Sequence, residues 1–138
     1  MSELTNLSAA DLAARIAARD VSAREVTDAF LARIEAVDAQ VRAFITVTPD
    51  AARAAADAVD QRLAAGETLG PLAGVPMALK DNLCTKGIET TCASKILRGF
   101  KPPYDATVVQ KLARAGVVAL GKVNLDCLLY TSPSPRDS

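Results

Sequence analysis

The most informative stretch of the sequence runs Gly70-Pro71-Leu72-Ala73-Gly74-Val75-Pro76-Met77-Ala78-Leu79-Lys80-Asp81-Asn82. Its apolar centre, Val75 to Leu79, predicts a short buried strand, in which a proline is tolerated near the start. Lys80 is therefore expected at the carboxyl end of a strand, which is where α/β sheets usually bind their ligands. This position makes Lys80 a candidate functional residue, although a surface lysine whose stem covers the strand end is the commoner explanation.

The chemistry open to this chain is limited by its complete lack of histidine. That absence excludes Ser-His-Asp and Cys-His catalysis within the chain and every zinc site that needs histidine. A lysine in a partly dry site has a lowered pKa and can act as a general base. The three cysteines, Cys84, Cys92 and Cys127, lack the CxxC spacing and are expected to be reduced thiols. We therefore expect neither a metal site nor a bound cofactor.

The 138 residues divide into two parts of different composition and charge. Residues 1–70 are rich in alanine and carry 7 basic and 11 acidic residues, whereas residues 71–138 carry 9 and 5. The net charge is zero, so the sequence lacks the excess positive charge that is typical of proteins that bind nucleic acid or anionic lipid. Neither a secretory signal nor a long apolar run is present, so the sequence predicts a cytoplasmic protein.

Short-range signals divide the chain into helices and strands. Ser8 and Ser22 are each followed by an acidic residue three positions later, which is typical of helix starts. Pro49 suits the first turn of a third helix that stops at Gly66, and Asp105 can cap a fourth that ends at Ala115. Helices are predicted over 9–18, 23–38, 51–65 and 105–115, and strands over 43–48, 75–79 and 117–120. This order favours a layered α/β architecture.

A second glycine-containing segment resembles a phosphate-binding loop without meeting its requirements. The spacing Gly116-x-x-x-x-Gly121-Lys122 needs serine or threonine next, and this chain has Val123. The intervening residues are themselves predicted as a strand, which cannot fold its N–H groups around a phosphate. We therefore do not predict a phosphate site here.

Several stretches resemble, in order, the motifs of the amidase signature family. They are residues 70–82, Thr90-Thr91-Cys92-Ala93-Ser94-Lys95, Pro102-Pro103-Tyr104-Asp105-Ala106-Thr107-Val108-Val109 and Gly121-Lys122-Val123-Asn124-Leu125-Asp126. The resemblance covers residues 1–126 and is strongest to the A subunits of aspartyl/glutamyl-tRNA(Asn/Gln) amidotransferases. It implies the N-terminal part of the amidase signature fold, a mixed sheet covered by helices. Residues 1–70 would form a helical region, and residues 71–126 would begin the core sheet.

The resemblance also implies a mechanism with a Ser–cis-Ser–Lys triad. Lys80 matches the lysine of that triad, which accepts a proton through the bridging serine so that the second serine can attack an amide carbonyl. Both serines of the family lie in a Gly/Ser-rich segment downstream of the motif that ends at Asp126, and no such run occurs here. Ser94 and Ser132 do not sit in that motif. The chain is therefore expected to be a truncated, inactive N-terminal fragment.

The resemblance implies partners as well as a substrate. The amide would be glutamine, and the released ammonia would pass to a B subunit that amidates glutamate or aspartate on tRNA with ATP and magnesium. A small C subunit would hold the two together, and this chain would bind no cofactor of its own. Two alternatives stay open, a general amidase that shares Lys80 and a non-catalytic α/β binding module.

The last twelve residues differ from the rest of the sequence. The segment Cys127-Leu128-Leu129-Tyr130-Thr131-Ser132-Pro133-Ser134-Pro135-Arg136-Asp137-Ser138 breaks with the family pattern, and its Ser-Pro repeats disfavour helix and strand. One choice of codons for 127–137 gives a DNA string that resembles a transposase-end adapter of sequencing libraries. We therefore predict that 127–138 is an adapter-derived, non-native tail.

Overall fold

A computed structural model describes residues 3–125, in which a three-stranded sheet packs against helices. In chain order the elements are a 3-10 turn at Glu3–Asn6, α1 Ala9–Ala18, α2 Ala23–Val41, β1 Phe44–Val47, α3 Pro49–Ala64, β2 Pro76–Lys80, a 3-10 turn at Lys95–Leu97, α4 Thr107–Arg114 and β3 Val118–Val123. The predicted α/β class is confirmed. The predicted tail over 127–138 lies outside the described residues.

The first two helices begin where their capping residues predict. The Ser8 side chain accepts a hydrogen bond from the Asp11 N–H at 3.1 Å, which satisfies a donor that the first turn leaves free. Ser22 and Glu25 form a reciprocal capping box at the start of α2. The second helix runs three residues beyond its predicted end. It ends where Arg42 adopts the left-handed conformation, which is more usual for glycine.

The third helix packs closely on the second through small and charged residues. Ala52 and Ala56 are fully buried, which lets the two helices approach closely. The Asp60 carboxylate accepts hydrogen bonds from the N–H groups of Ala23 and Arg24 at 2.8 and 3.0 Å. Because a helix N-terminus carries partial positive charge, this contact fixes the start of α2 on α3.

Glycines end two of the helices, as predicted, but one predicted cap is wrong. Gly66 and Gly116 both have φ +82°, a conformation that glycine adopts without strain. The predicted cap Asp105 does not cap α4, whose first cap position is Ala106. Instead the Asp105 carboxylate accepts the Lys86 N–H at 2.6 Å and holds the preceding loop. None of the helices in residues 3–125 is long and apolar enough to cross a membrane.

The sheet is mixed and draws on both halves of the sequence. Its order is β1-β3-β2, with β1 antiparallel and β2 parallel to the central β3. The central strand continues to Val123, beyond the predicted 117–120, because it pairs with a neighbour on each side. One face packs Val118 and Leu120 against a core that contains Leu12, Ile16 and Val26.

A glycine in the central strand permits the close approach of β1. Gly121 pairs with Val47, and a Cβ on Gly121 would lie 2.2 Å from the Thr46 carbonyl oxygen. That separation is far inside van der Waals contact, so a larger residue would push β1 away. Gly121 and Lys122 both belong to β3. They are therefore part of a paired strand and not of a glycine loop that could surround a phosphate.

Candidate active site at the carboxyl ends of β2 and β3

Lys80 is the last residue of β2, as predicted, and it lies at an edge shared by two parallel strands. It pairs with Val123 at the end of β3, so both strands finish at the same place. The Lys80 side chain is exposed in the described part of the chain. Its backbone carbonyl accepts the Leu83 N–H at 3.0 Å, which begins a tight turn. The position is confirmed, while the catalytic role of Lys80 stays a prediction.

Asp81 follows Lys80 and is completely buried. Its backbone N–H donates to the Val123 carbonyl at 3.1 Å, and its own carbonyl accepts the Cys92 N–H at 3.0 Å. One carboxylate oxygen accepts both the backbone N–H of Thr91, at 2.9 Å, and the Thr91 hydroxyl. Asp81 therefore ties the end of β2 to β3 and to the loop that follows.

Lys122 lies on β3 and is buried, with 1% of its side chain exposed. Its ammonium donates to the Leu83 carbonyl at 2.8 Å and to the Thr90 hydroxyl at 3.0 Å. It also lies 3.5 Å from the Asp81 carboxylate oxygen that receives no hydrogen bond among the described residues. Burial lowers the pKa of Lys122, and the nearby negative charge of Asp81 opposes that shift.

Sequence patterns do not predict the buried group formed by Asp81, Thr90, Thr91 and Lys122. In the sequence Lys122 is a candidate only as part of a phosphate loop, and Asp81 only as a neighbour of Lys80. The available signal was a lysine within an apolar strand, Val118-Ala119-Leu120-Gly121-Lys122-Val123. Because a buried ammonium needs a partner, such a lysine implies a buried acidic residue elsewhere in the chain.

The two described cysteines are free and half-buried, as expected for reduced thiols. The Cys84 thiol lies 3.7 Å from the Tyr104 hydroxyl, and this contact raises the pKa of the tyrosine. Within residues 3–125 no three histidine, cysteine, aspartate or glutamate side chains are grouped as metal ligands. Cys127 lies outside the described residues.

Ser94 has a structural partner and is not placed as a nucleophile. Its hydroxyl accepts the Ile96 N–H at 3.3 Å and caps the short 3-10 turn. It lines a hollow with Thr91, Arg98 and Asn124, but Lys80 does not line that hollow. A larger apolar hollow between α1 and residues 66–73 lies elsewhere and also lacks Lys80. The edge at Lys80 is therefore the candidate site, and neither hollow forms part of it.

The sequence and the fold of this chain were compared with those of known proteins. The family model described as Amidase matches residues 25–136. The chain is 64% identical over 126 residues to the A subunit of glutamyl-tRNA(Gln) amidotransferase from Acidothermus cellulolyticus, covering 91% of this chain and 25% of that protein. It is 55% identical over 136 residues to the corresponding protein of Moorella thermoacetica, which has the same name, covering 99% and 28%. The chain thus spans about a quarter of the length of these curated relatives.

Solved structures show the same fold. The peptide amidase of Stenotrophomonas maltophilia superposes with a TM-score of 0.80 at 40% identity, covering 86% of this chain and 24% of that one. Fatty acid amide hydrolase superposes with a TM-score of 0.83 at 27% identity, covering 89% and 22%. These similarities confirm the predicted amidase signature fold over part of its length. With the family match over most of the sequence, they show that the chain belongs to the amidase family.

Proposed function

We propose that this chain is the N-terminal part of a glutamine amidohydrolase subunit that supplies ammonia to a tRNA-dependent amidotransferase. The observation that carries the proposal is the 64% identity, over 91% of the chain, to the A subunit of a glutamyl-tRNA(Gln) amidotransferase. The product would be Gln-tRNA(Gln) or Asn-tRNA(Asn), since nothing in residues 3–125 distinguishes the two tRNAs.

Lys80 is the residue we assign to the chemistry. In the completed enzyme its amine would accept a proton from a bridging serine, which in turn takes the proton of the nucleophilic serine. The serine oxygen would attack the side-chain amide carbon of glutamine, and the C–N bond would break as the nitrogen takes up a proton and leaves as ammonia. Water would then release glutamate, so that glutamine and water give glutamate and ammonia.

The partners follow from the same proposal. A B subunit would use ATP and magnesium to activate the tRNA-bound carboxylate and would receive the ammonia, and a C subunit would join the two. These proteins and tRNA work together in the cytoplasm, where we place this chain. The sequence contains no Gly-Gly-Ser run, so this chain supplies Lys80 and neither serine. We therefore expect the 138-residue chain alone to be inactive.

A second candidate is a general amidase that acts on another amide. It is favoured by the 40% identity and the TM-score of 0.80 to a peptide amidase. Such an enzyme would use Lys80 in the same way but would need no tRNA-dependent partner. The two candidates therefore differ in substrate and assembly and share the candidate site.

A chimera tests the proposed function, because the chain spans only about a quarter of the length of its relatives. In this chimera, residues 1–125 replace the matched segment of the Acidothermus cellulolyticus protein, co-expressed with the other subunits of that amidotransferase. Ammonia release is measured from glutamine, from a C-terminal peptide amide and from a fatty acid amide. The unaltered Acidothermus assembly serves as the matched control.

We expect the chimera to release ammonia from glutamine at a rate close to that of the control, and to amidate glutamyl-tRNA. Co-purification with the other subunits is expected as well. Activity on the peptide amide or the fatty acid amide, with none on glutamine, would favour the general amidase and contradict the proposed substrate.

A further inference from the structure

The buried ammonium of Lys122 contacts the turn that follows Lys80. This turn closes through the hydrogen bond from the Leu83 N–H to the Lys80 carbonyl, and the Leu83 carbonyl then accepts a bond from Lys122 at 2.8 Å. Lys122 also faces the carboxylate of Asp81, the first residue inside the turn, at 3.5 Å. One cation thus holds both the beginning and the end of the segment 80–83.

Lys122 and Lys80 lie on opposite faces of the sheet. Lys122 pairs with Leu79 in parallel register, and paired residues of neighbouring strands share a face. Side chains alternate along a strand, so Lys80 points to the other face from Leu79. Their burial agrees, because Leu79 is 5% exposed while Lys80 is exposed. Lys122 therefore cannot take the place of Lys80, and its hydrogen bonds reach Lys80 through the main chain of the turn.

The Lys122 ammonium also contacts the loop that contains Thr90 and Thr91. Lys122 donates to the Thr90 hydroxyl at 3.0 Å, and the next residue, Thr91, donates to Asp81. The turn and the loop are thus joined at one buried point, and their polar groups have little access to water. A buried charge held by several hydrogen bonds is costly to move, so this junction restricts the backbone at the end of β2.

We propose that Lys122 is a positioning residue for Lys80, one that fixes the 80–83 turn from the opposite face of the sheet and so holds the main chain that carries the Lys80 side chain. This inference rests on the proposed function, in which Lys80 is the proton acceptor. Small displacements of a catalytic group reduce rate steeply while leaving substrate contacts in place. The expected signature is a loss of kcat with little change of KM.

The test uses the chimera and measures kcat and KM for glutamine, with folding checked by circular dichroism and thermal unfolding. Lys122→Met removes the ammonium and keeps the length and apolar stem of the side chain. We expect kcat to fall at least about tenfold, with KM within about twofold of the parent. The control is Val118→Ala, which removes buried volume at the other end of β3 and should leave kcat unchanged.

A second pair of variants covers the case in which Lys122→Met does not fold. Thr90→Val removes the acceptor of the 3.0 Å bond, whereas Thr90→Ser keeps the hydroxyl that bonds Lys122 and the Ile88 carbonyl. We expect Thr90→Val to lower kcat and Thr90→Ser to retain it. In that case, parental kcat in Thr90→Val would overturn the inference, and a loss not shared by Thr90→Ser would support it.

Two further results would overturn the inference even when every variant folds. One is parental kcat in Lys122→Met, and the other is an equal loss of kcat in Val118→Ala. A parallel Lys80→Ala variant separates this inference from the proposed function. If Lys80→Ala is active, the role of Lys80 is wrong; if Lys80→Ala is inactive while Lys122→Met is fully active, only the positioning role is wrong.

Discussion

The carboxylate of Asp81 and the ammonium of Lys122 lie 3.5 Å apart at the end of the sheet, and their side chains are 0% and 1% exposed. The two residues lie 41 positions apart in the sequence. Both also make hydrogen bonds to the loop between them, where Asp81 accepts from Thr91 and Lys122 donates to the adjacent Thr90. The pair therefore joins β2, β3 and this loop in one buried polar contact.

Breaking this pair should destabilise the protein strongly. Asp81→Leu in the chimera leaves the Lys122 ammonium buried without its counter-charge and removes the bonds to Thr91, so we expect a loss of about 3–5 kcal/mol. The measurement is the midpoint of thermal unfolding. Glu67→Gln is the control, because its 2.7 Å pair with Arg62 is about half exposed and should contribute at most about 1 kcal/mol. Equal shifts for the two variants would contradict the buried pair.

Acid should remove a second, exposed ion pair between α2 and α3. Hydrogen bonds from Arg53, and then from Arg24, lower the pKa of Asp28 below its ordinary value of 3.8. A carboxylate with a lower pKa in the folded state stabilises the fold above the unfolded pKa, and this contribution is lost as pH falls through the folded pKa. Asp28→Asn should therefore lower the unfolding midpoint at pH 6, and this effect should diminish as pH falls below 3.8 and through the lower pKa of the folded state. A difference that does not diminish at any pH below 3.8 would contradict this assignment.

Gly121 should tolerate no side chain. A Cβ there would meet the backbone of β1, 2.2 Å from the Thr46 oxygen. Gly121→Ala should therefore displace β1 and lower the free energy of unfolding by about 1–3 kcal/mol. Gly87→Ala is the control, since Gly87 also has a positive φ, of +73°, but has open space around it. Thermal unfolding of both chimera variants checks the prediction. An equal effect at the two positions would show that conformation, and not close approach, accounts for Gly121.

The 138-residue chain alone should associate with itself. In the loop between β2 and α4, Ile96 is 92% exposed, and Phe100 and Tyr104 are 44% and 58% exposed. Exposed apolar side chains of this size favour association. Ile96→Ser should reduce the mean mass seen by analytical ultracentrifugation, whereas Ala54→Ser on an exposed position of α3 should not. A monomeric parent chain with one sharp thermal transition would contradict this prediction.

Local signals predicted most of the fold. Ser8 and Ser22 bind the backbone of their own helices, and Gly66 ends α3 by its own conformation, so short windows of sequence contain these features. The apolar run before Lys80 likewise placed that residue at a strand end. Asp105 was assigned wrongly because a carboxylate before a helix can bond either the helix or a distant loop, and the choice depends on tertiary structure.

The buried part of the candidate site could not be predicted in the same way. Lys122 is buried because Asp81, Leu83 and Thr90 come from another part of the chain and surround its ammonium. The sequence alone does not show which residues meet across the sheet. The same holds for Gly121, whose close neighbour Thr46 belongs to a strand 75 positions earlier in the sequence.

The most direct test of the central claim is the rate of ammonia release from glutamine by the chimera with Lys80→Ala. An essential base of a triad contributes several orders of magnitude, so we expect kcat to fall at least about a thousandfold while the variant stays folded and assembled. Lys86→Ala, at an exposed lysine of the following loop, is the matched control and should keep the parental rate. A folded Lys80→Ala chimera that releases ammonia at near the parental rate would contradict the assignment of Lys80.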